Sequence, residues 1–214
     1  MGRQLVTTQP TRDADHTRSE IIAVATEEFA DKGYSGARVD EIAAKTRTTK
    51  RMIYYYFGGK EHLYVAVLEH AYARIRALEQ ELDVEHLDPA EAIRQLTALT
   101  FDHHEAHPDF IRLVSIENIH RAEHIARSAM LGGLASPALD VLARILARGR
   151  TDGRFRDGVD PVDIHMLISA YCVFRIANRY TFKAIFERDM LDPARRDHYR
   201  AMLGDIVLDY LTAR

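Results

Sequence analysis

The sequence of 214 residues has one cysteine, no tryptophan and no long apolar stretch. A lone cysteine forms no internal disulfide, and Cys172 lies in the apolar run LISAYCVF, which favours a buried packing role. No window approaches the roughly 18 uninterrupted apolar residues of a membrane-spanning helix, and the N-terminus lacks the apolar segment of a secretory signal. We therefore expect a cytoplasmic protein with no membrane partner.

Motifs for catalysis and for cofactor binding are also missing. The sequence contains no glycine-rich phosphate loop, no internal repeat and no supported pair of nucleophile and base. His103 and His107 have a metal-pair spacing, but HEAH at 104–107 is one residue short of a zinc-protease motif. The sequence therefore predicts no enzyme, no cofactor and no metal, with a helical carrier or enzyme as the alternative.

Basic residues are concentrated in one short stretch of a chain whose net charge is −3. The segment TRTTKRMIYYYFGGK at 46–60 contains four cations, three consecutive tyrosines and no acidic residue. Residues 1–60 hold ten lysines and arginines against eight acidic residues, whereas acidic residues are in excess in the remainder. Cations among aromatic hydroxyls suit phosphate, so nucleic acid is the first expected partner. A solvated helix face is the alternative.

Capping and turn signals predict helices along the first part of the chain. Residues 1–15 are polar and aperiodic, which indicates a flexible tail. Thr17 and Glu20 form a capping box, and Gly33 ends the following apolar periodicity, so a first helix is expected at 18–32. VDEIAAK at 39–45 predicts a short second helix, and Thr49 is a plausible N-cap for a third helix at 50–57. A long fourth helix is expected from residue 60 toward residue 81.

Proline signals indicate where the later helices begin. Proline suits the first turn of a helix, because its missing N–H has no helical partner there. Five such starts follow in the sequence: Asp88-Pro89, Pro108-Asp109, Ser136-Pro137, Asp160-Pro161 and Asp192-Pro193. No strand alternation competes with them, so the expected fold class is all-α.

Four motifs in the first 68 residues resemble a known family. KGY at 32–34, VDEIA at 39–43, TTKRMIYYYF at 48–57 and KEHLY at 60–64 are similar to the DNA-binding domain of TetR-family transcriptional regulators. The resemblance implies a three-helix helix-turn-helix head at 16–62 after a tail at 1–15. It further implies that a long helix joins this head to a helical effector-binding and dimerisation domain at 63–214.

The family pattern implies DNA contacts in the third helix and its flanks. Its residues by number are Arg47, Thr49, Lys50, Arg51, Met52, Tyr54, Tyr55, Tyr56 and Lys60. Thr49 would cap the helix, the residues 50–52 with Tyr55 would point at bases or nearby backbone, and Tyr54, Tyr56 and Lys60 would grip phosphates. Arg51 could bond a guanine edge bidentately, which gives roughly 1–3 kcal/mol of base discrimination. Packing of Tyr54 or Tyr56 on the core of the head is the alternative.

The chain departs from the usual family pattern around the helix-turn-helix. Ala37 replaces a common threonine and cannot cap the second helix. Arg47 replaces the usual glycine of the turn, and Thr48 and Arg51 replace the usual valine and glycine. A residue other than glycine in a left-handed turn costs about 1 kcal/mol, so Arg47 is either tolerated strain or an added phosphate contact.

Polar residues on an apolar helix face suggest a ligand pocket in the second part. In the helix expected near 161–180, Arg175 and Asn178 continue the face of Ile164, Ile168 and Tyr171. A pocket for a small anionic or amide-bearing ligand would use them; an ion pair between Arg175 and Glu117, or across a subunit interface, is the alternative. The candidate pocket residues are Phe101, His104, Phe110, Asn118, Tyr171, Arg175 and Asn178.

The predicted assembly is a homodimer, because a twofold pair of heads reads two half-sites of a palindrome. The apolar stripe of Leu139, Leu142, Ile145 and Leu146 predicts that the helix at 136–149 forms the interface with one of the two following helices. Taken together, the sequence predicts a ligand-responsive repressor that a small-molecule effector releases from its operator. A transcriptional activator with the same head is the alternative.

Overall fold

The computed structural model describes residues 10–133 and 135–212. Helix is the only regular secondary structure in these ranges, so the all-α prediction is confirmed. The helices are α1 (Pro10–Gly36), α2 (Val39–Lys45), α3 (Lys50–Phe57), α4 (Lys60–Gln80), α5 (Pro89–Ala106), α6 (Pro108–Ile119), α7 (Ala129–Gly133), α8 (Ala135–Thr151), α9 (Pro161–Ala177), α10 (Arg179–Phe186) and α11 (Arg196–Thr212), with short 3-10 turns at Ile125–Arg127 and Pro193–Arg195. None of these helices combines the length and hydropathy needed to cross a bilayer.

The first helix begins earlier than predicted. It starts at Pro10, so Thr17 lies inside α1 and the expected capping box does not mark a helix start. Proline fits a first helical turn, and the acidic residues that follow favour a helix N-terminus, so these local signals precede the one at Thr17. Residues 10–15 of the expected tail are therefore helical, while residues 1–9 lie outside the described residues. Gly33 interrupts α1 with a φ of 70°, as its position predicted.

The proline signals mark the starts of α5, α6, α9 and the 3-10 turn before α11, whereas α8 begins at Ala135, just before the predicted Ser136-Pro137 start. The carboxylates of Asp88, Asp160 and Asp192 each accept a hydrogen bond from the backbone N–H two residues later. These bonds cap α5, α9 and the 3-10 turn that leads into α11. Their geometry is local, which explains why sequence reasoning located it.

Two main hydrophobic cores organise the helices. The first joins α1, α2, α3 and the first half of α4, and it also includes Leu113 of α6 and Leu131 of α7. The second joins α5, α8, α9 and α11. Packing of the head therefore continues past residue 62 into the rest of the chain, through the contacts of α1 with α4 and α6. The head consequently shares its core with α4 and α6.

The apolar stripe of α8 does not lie on the surface. Leu142, Ile145 and Leu146 are buried in the second core, so the prediction that this stripe forms a dimer interface is wrong. Periodicity shows that a helix has an apolar face but not which partner covers it. Exposed apolar side chains occur instead on α9 and α10, namely Val162, Met166, Phe174, Tyr180, Ile185 and Phe186.

Candidate nucleic-acid interface

The turn between α2 and α3 has the geometry that the sequence suggested. Arg47 has a φ of 53°, in the left-handed region that favours glycine. The hydroxyl of Thr49 accepts a hydrogen bond from the backbone N–H of Met52 at 3.3 Å, which confirms Thr49 as the N-cap of α3. Gly58 closes the helix with a φ of 78°. The local signals therefore set both ends of α3.

Helix α3 separates a buried face from an exposed face. Ile53 and Phe57, one turn apart, pack into the core of the head. Tyr55 is 78% exposed and Tyr54 is 45% exposed. Lys50 and Arg51 are exposed as well. The outer face of α3 therefore presents two cations and two phenol groups, all of which can donate hydrogen bonds to phosphates or base edges.

Met52 and Tyr56 occupy an intermediate position at the edge of this face. Both side chains are half-buried. Tyr56 packs against the core of the head, and its ring lies edge-on to Tyr55 with centroids 5.4 Å apart. The packing alternative therefore applies to Tyr56 and not to the exposed Tyr54.

The cations of the head differ in their partners. The Nζ atom of Lys50 lies 3.1 Å from a carboxylate oxygen of Asp40 on α2. Arg47 and Arg51, in contrast, have no ion-pair partner among the residues that the structure describes. These two guanidinium groups are thus free to meet an external anion.

Lys60 lies at the N-terminus of α4 and is half-buried. Its Nζ atom is 4.9 Å from the centre of the Tyr34 ring and donates to the carbonyl of Ser35 at 3.4 Å. Burial lowers the pKa of Lys60 below its usual range. Gly59 provides no side-chain cap, so the first N–H groups of α4 add to this cationic site and favour an anion.

A buried carboxylate connects α1 with α2 behind the interface. Glu28 has a side-chain exposure of 1%, and its oxygens lie 2.6 Å from Lys32 and 2.7 Å from Lys45. Lys32 also pairs with Glu41 of α2. Because α2 holds the turn that leads to α3, this pairing helps to fix the orientation of α3 on α1.

The candidate pocket residues do not all lie together. Arg175 is buried, stacks 4.0 Å above the Phe101 ring, and donates to the Met190 carbonyl at 2.8 Å. Its ionic partner is Glu105 at 3.2 Å, so the alternative of a pair with Glu117 is wrong. The hydroxyl of Tyr171 donates to the backbone carbonyl of Tyr199 at 3.0 Å. These polar groups therefore brace α9 against α5, against the segment that precedes α11 and against the first turn of α11.

Glu117 faces the head instead of α9. It is fully buried and accepts hydrogen bonds from Nδ1 of His124 at 2.9 Å and from the backbone N–H groups of His124 and Ile125 at 3.2 Å. The His124 ring packs against Tyr34 and Tyr64. The partners of Glu117 lie only seven and eight residues further along the chain, in the turn after α6, and the His124 ring joins this turn to the head.

A small cavity lies where the head meets the rest of the chain. Its volume is about 200 Å³, and it lies between α1, α4, α5 and α6. The polar side chains that line it include His70, Arg74, His103 and His107, with Phe110 on the apolar side. Phe110 was expected to line a pocket, but the predicted histidine was His104 and not His103; His70 and Arg74 were missed because they carry no motif. His103 is buried, and its Nδ1 atom has no hydrogen-bond partner among the described residues.

The remaining candidates are divided between interior and surface. His104 is buried, donates from Nδ1 to the Thr100 carbonyl at 2.8 Å, and packs against Phe110 with ring centroids 5.5 Å apart. Asn118 and Asn178 are exposed, so neither faces this cavity. No group of three or more metal-ligating side chains in the described part of the chain is arranged to hold an ion.

The exposed basic face of α3, held on a three-helix head, defines a helix-turn-helix DNA-binding protein. Residues 21–67 match the family model described as bacterial regulatory proteins of the tetR family, and residues 89–207 match the model of a tetracyclin repressor-like C-terminal domain. The chain therefore belongs to the TetR family of transcriptional regulators, which are DNA-binding proteins and not enzymes.

Individual relatives agree with this assignment. The chain is 34% identical to the HTH-type transcriptional repressor NicS of Pseudomonas putida, over 92% of this chain and 93% of that protein. It is 35% identical to the HTH-type transcriptional repressor SCO4008 of Streptomyces coelicolor, over 54% of this chain and 62% of that protein. Among solved structures, the putative regulator SCO4942 of Streptomyces coelicolor superposes with a TM-score of 0.65 at 30% identity, covering 89% of this chain and 97% of that one.

Proposed function

We propose that the protein is a ligand-responsive repressor that binds a palindromic operator as a homodimer and is released by a small-molecule effector. The observation that carries this proposal is the exposed face of α3, where Lys50, Arg51, Tyr54 and Tyr55 point away from the core. The two relatives named as repressors support the direction of regulation. In this proposal residues 16–62 form the head and residues 63–214 form the effector-binding and dimerisation part.

The proposed DNA contacts fall into two classes. Arg51 reads a base edge, and Lys50, Met52 and Tyr55 reach bases or nearby backbone. Phosphate contacts come from residues around this face, namely Arg47, Thr49, Tyr54, Tyr56 and Lys60. Base contacts determine sequence preference, while phosphate contacts determine the salt dependence of binding.

Selection of operators from a random duplex library, followed by fluorescence anisotropy, tests these roles. Lys60→Ala is expected to reduce the slope of log affinity against log salt by roughly 0.9 for its lost phosphate contact, and Lys50→Ala is expected to lower operator affinity. Arg51→Ala is expected to relax the preference at one base position. Arg144→Ala, which removes an exposed cation of α8, is the matched control. Wild-type protein without any preference for a palindrome over random duplex would contradict the proposal.

The proposed dimer uses the exposed apolar residues of α9 and α10. Met166 is 62% exposed and Phe186 is 62% exposed, which is unfavourable for a subunit that remains alone in water. Met166→Glu and Phe186→Glu are therefore expected to give monomers in light-scattering chromatography. Leu78→Glu, at an exposed apolar site on α4, is the control that keeps the dimer. Unchanged dimers in both variants would place the interface elsewhere.

The proposed effector site centres on the cavity between the head and α4–α6. A molecule in this cavity contacts α1 and α4 together, so it can favour one placement of the head over another. Phe110 lines the cavity and His104 supports Phe110, while Phe101, Tyr171 and Arg175 brace the neighbouring helices. To convert a mostly DNA-competent population into a mostly released one, the effector must favour the released state by roughly 5.5 kcal/mol.

A thermal-shift screen of small metabolites tests the effector site. A compound that stabilises the wild type and releases DNA is expected to do neither in Arg74→Gln, because this side chain lines the cavity. Arg144→Gln again provides a control outside the cavity. A releasing compound that acts equally on wild type and Arg74→Gln would exclude this site. Mapping the operator relative to its promoter separates repression from activation.

A further inference from the structure

An acidic side chain lies among the cations of the DNA-binding surface. Asp40, in the first turn of α2, has a side-chain exposure of 51%. One carboxylate oxygen is 3.1 Å from Nζ of Lys50, and the other is 3.7 Å from a guanidinium nitrogen of Arg38. Lys50 and Arg38 have exposures of 53% and 68%. The carboxylate therefore holds together the N-terminal ends of α2 and α3 at the surface.

Helix formation alone does not account for this arrangement. Arg38 is the N-cap of α2, and no side chain caps the helix there by a hydrogen bond. Glu41 already supplies a negative charge in the same first turn and pairs with Lys32. Asp40 therefore adds a second carboxylate at a point where the nearest cations are Lys50 of the DNA-binding surface and the exposed Arg38 beside it. A carboxylate at this position also repels an approaching phosphate.

We propose that Asp40 is a specificity-determining residue that acts as an internal counterion for Lys50 and Arg38. The pairing withholds these two cations from phosphates, which weakens binding to DNA of arbitrary sequence. Arg47 and Arg51, without ion-pair partners among the described residues, supply the initial attraction instead. This inference rests on the proposed contact of α3 with DNA.

Counterion release explains why the effect depends on sequence. Binding to arbitrary DNA draws essentially all of its free energy from the release of ions condensed on phosphates. A lysine or arginine that must first leave Asp40 exchanges one anionic partner for another, so it contributes little to the free energy of binding. At an operator, the ammonium group of Lys50 can keep one N–H on Asp40 and donate another to a base acceptor, which carries no net charge and is not repelled by the carboxylate. Asp40 therefore weakens binding to random duplex more than binding to an operator.

Fluorescence anisotropy with a random duplex and with a selected operator tests the proposal, at about 50–200 mM KCl. Asp40→Asn is expected to bind random duplex roughly two- to fivefold more tightly, the range given by the strength of an exposed ion pair. The salt slope should steepen by about 0.9 for each cation that gains a phosphate. Operator affinity should change by a smaller factor, so that the ratio between the two duplexes falls. Asp40→Ser, which also suits a first helical turn, is measured in parallel.

Two further variants show whether Asp40 acts through Lys50. In a Lys50→Gln background, Asp40→Asn is expected to give at most half of its gain in affinity for random duplex. The reason is that Arg38 is then the only cation that the substitution frees from Asp40. Asp205→Asn is the matched control, because this carboxylate is 55% exposed and lies 2.7 Å from Arg94 on α5. An equal gain from Asp205→Asn, or an undiminished gain in the Lys50→Gln background, would show a general charge effect and overturn the inference.

The same measurements separate this inference from the proposed function. If the wild-type protein binds the operator and Lys50→Gln weakens that binding, the proposed α3 interface is supported. In that case, an unchanged salt slope in both Asp40→Asn and Asp40→Ser refutes only the counterion role of Asp40. If the wild type prefers no duplex, both the interface and the counterion role are refuted. Circular dichroism melts of each variant confirm that the head is folded before binding is compared.

Discussion

Replacing Glu28 by glutamine should weaken the head through loss of charge and not through loss of volume. Glu28 is buried with a side-chain exposure of 1%, and it joins Lys32 of α1 to Lys45 of α2. Burial acts to raise the pKa of Glu28, but the hydrogen bonds from Lys32 and Lys45 outweigh it and lower the pKa to about 2. Glutamine has nearly the same shape but leaves both ammonium groups without this anion.

The size of the effect follows from the difference in pKa between the folded and unfolded states. A shift from 4.5 to about 2 corresponds to about 3 kcal/mol of stabilisation at pH 7. Because the folded-state pKa is the lower one, this stabilisation is present above pH 4.5 and is lost as the pH falls toward 2. At pH 3.5 about 2 kcal/mol should remain.

Urea unfolding followed by circular dichroism, at one protein concentration and at pH 7 and 3.5, measures this difference. Glu28→Gln should be less stable by about 3 kcal/mol at pH 7 and by about 2 kcal/mol at pH 3.5. Glu27→Gln, an exposed neighbour on α1, is the control and should stay within roughly 0.5 kcal/mol of wild type. A penalty for Glu28→Gln that is the same at both pH values would refute the electrostatic explanation.

Three further predictions concern local geometry and titration. Thr49→Ala removes the cap of α3 and should lower the free energy of unfolding by about 0.5–2 kcal/mol in the same urea assay, where no change would refute the role of the cap. Arg47→Gly should raise the free energy of unfolding by about 1 kcal/mol, because glycine adopts a φ of 53° without strain. The same variant should lower the slope of log DNA affinity against log salt by about 0.9, and an unchanged slope would exclude a phosphate contact of Arg47. Burial lowers the pKa of both His103 and His104 to about 4. The thermal midpoint of unfolding should therefore decrease as the pH is lowered from 6.5 to 4, because the unfolded chain binds more protons than the folded chain in this range. The variant with glutamine at both positions should show a smaller fall, since His70, His107 and His165, whose pKa values burial also lowers, remain; an unchanged fall would refute the role of His103 and His104.

Local signals predicted the helix-turn-helix well. Thr49 caps α3, Gly58 ends it and Arg47 takes a left-handed conformation, because each depends on atoms only a few residues apart. The outward direction of Lys50 and Arg51 followed from the periodicity that buries Ile53. The start of α1 was placed too late because two successive N-terminal signals competed and the earlier one at Pro10 prevailed.

Partners distant in sequence were not predictable in the same way. Arg175 pairs with Glu105 and not with Glu117. A buried cation needs an anionic partner, but the sequence does not show which of the two carboxylates lies beside it. The ion pair between Asp40 and Lys50 was also missed, because its distance depends on the angle between α2 and α3. His70 and Arg74 line the cavity for a comparable reason, since α1 and α5 must meet α4 to enclose it.

By itself the amino-acid sequence determined the helical class, the ends of α3 and its cationic outer face. These properties depend on backbone caps and on the 3.6-residue period, which act within one or two turns. Tertiary structure alone decided that the apolar stripe of α8 is internal, that α9 and α10 carry exposed apolar side chains, and which carboxylates pair with Lys45, Lys50 and Arg175. Those outcomes depend on the angles and distances between whole helices, and every helix with an apolar stripe satisfies the local rules equally well.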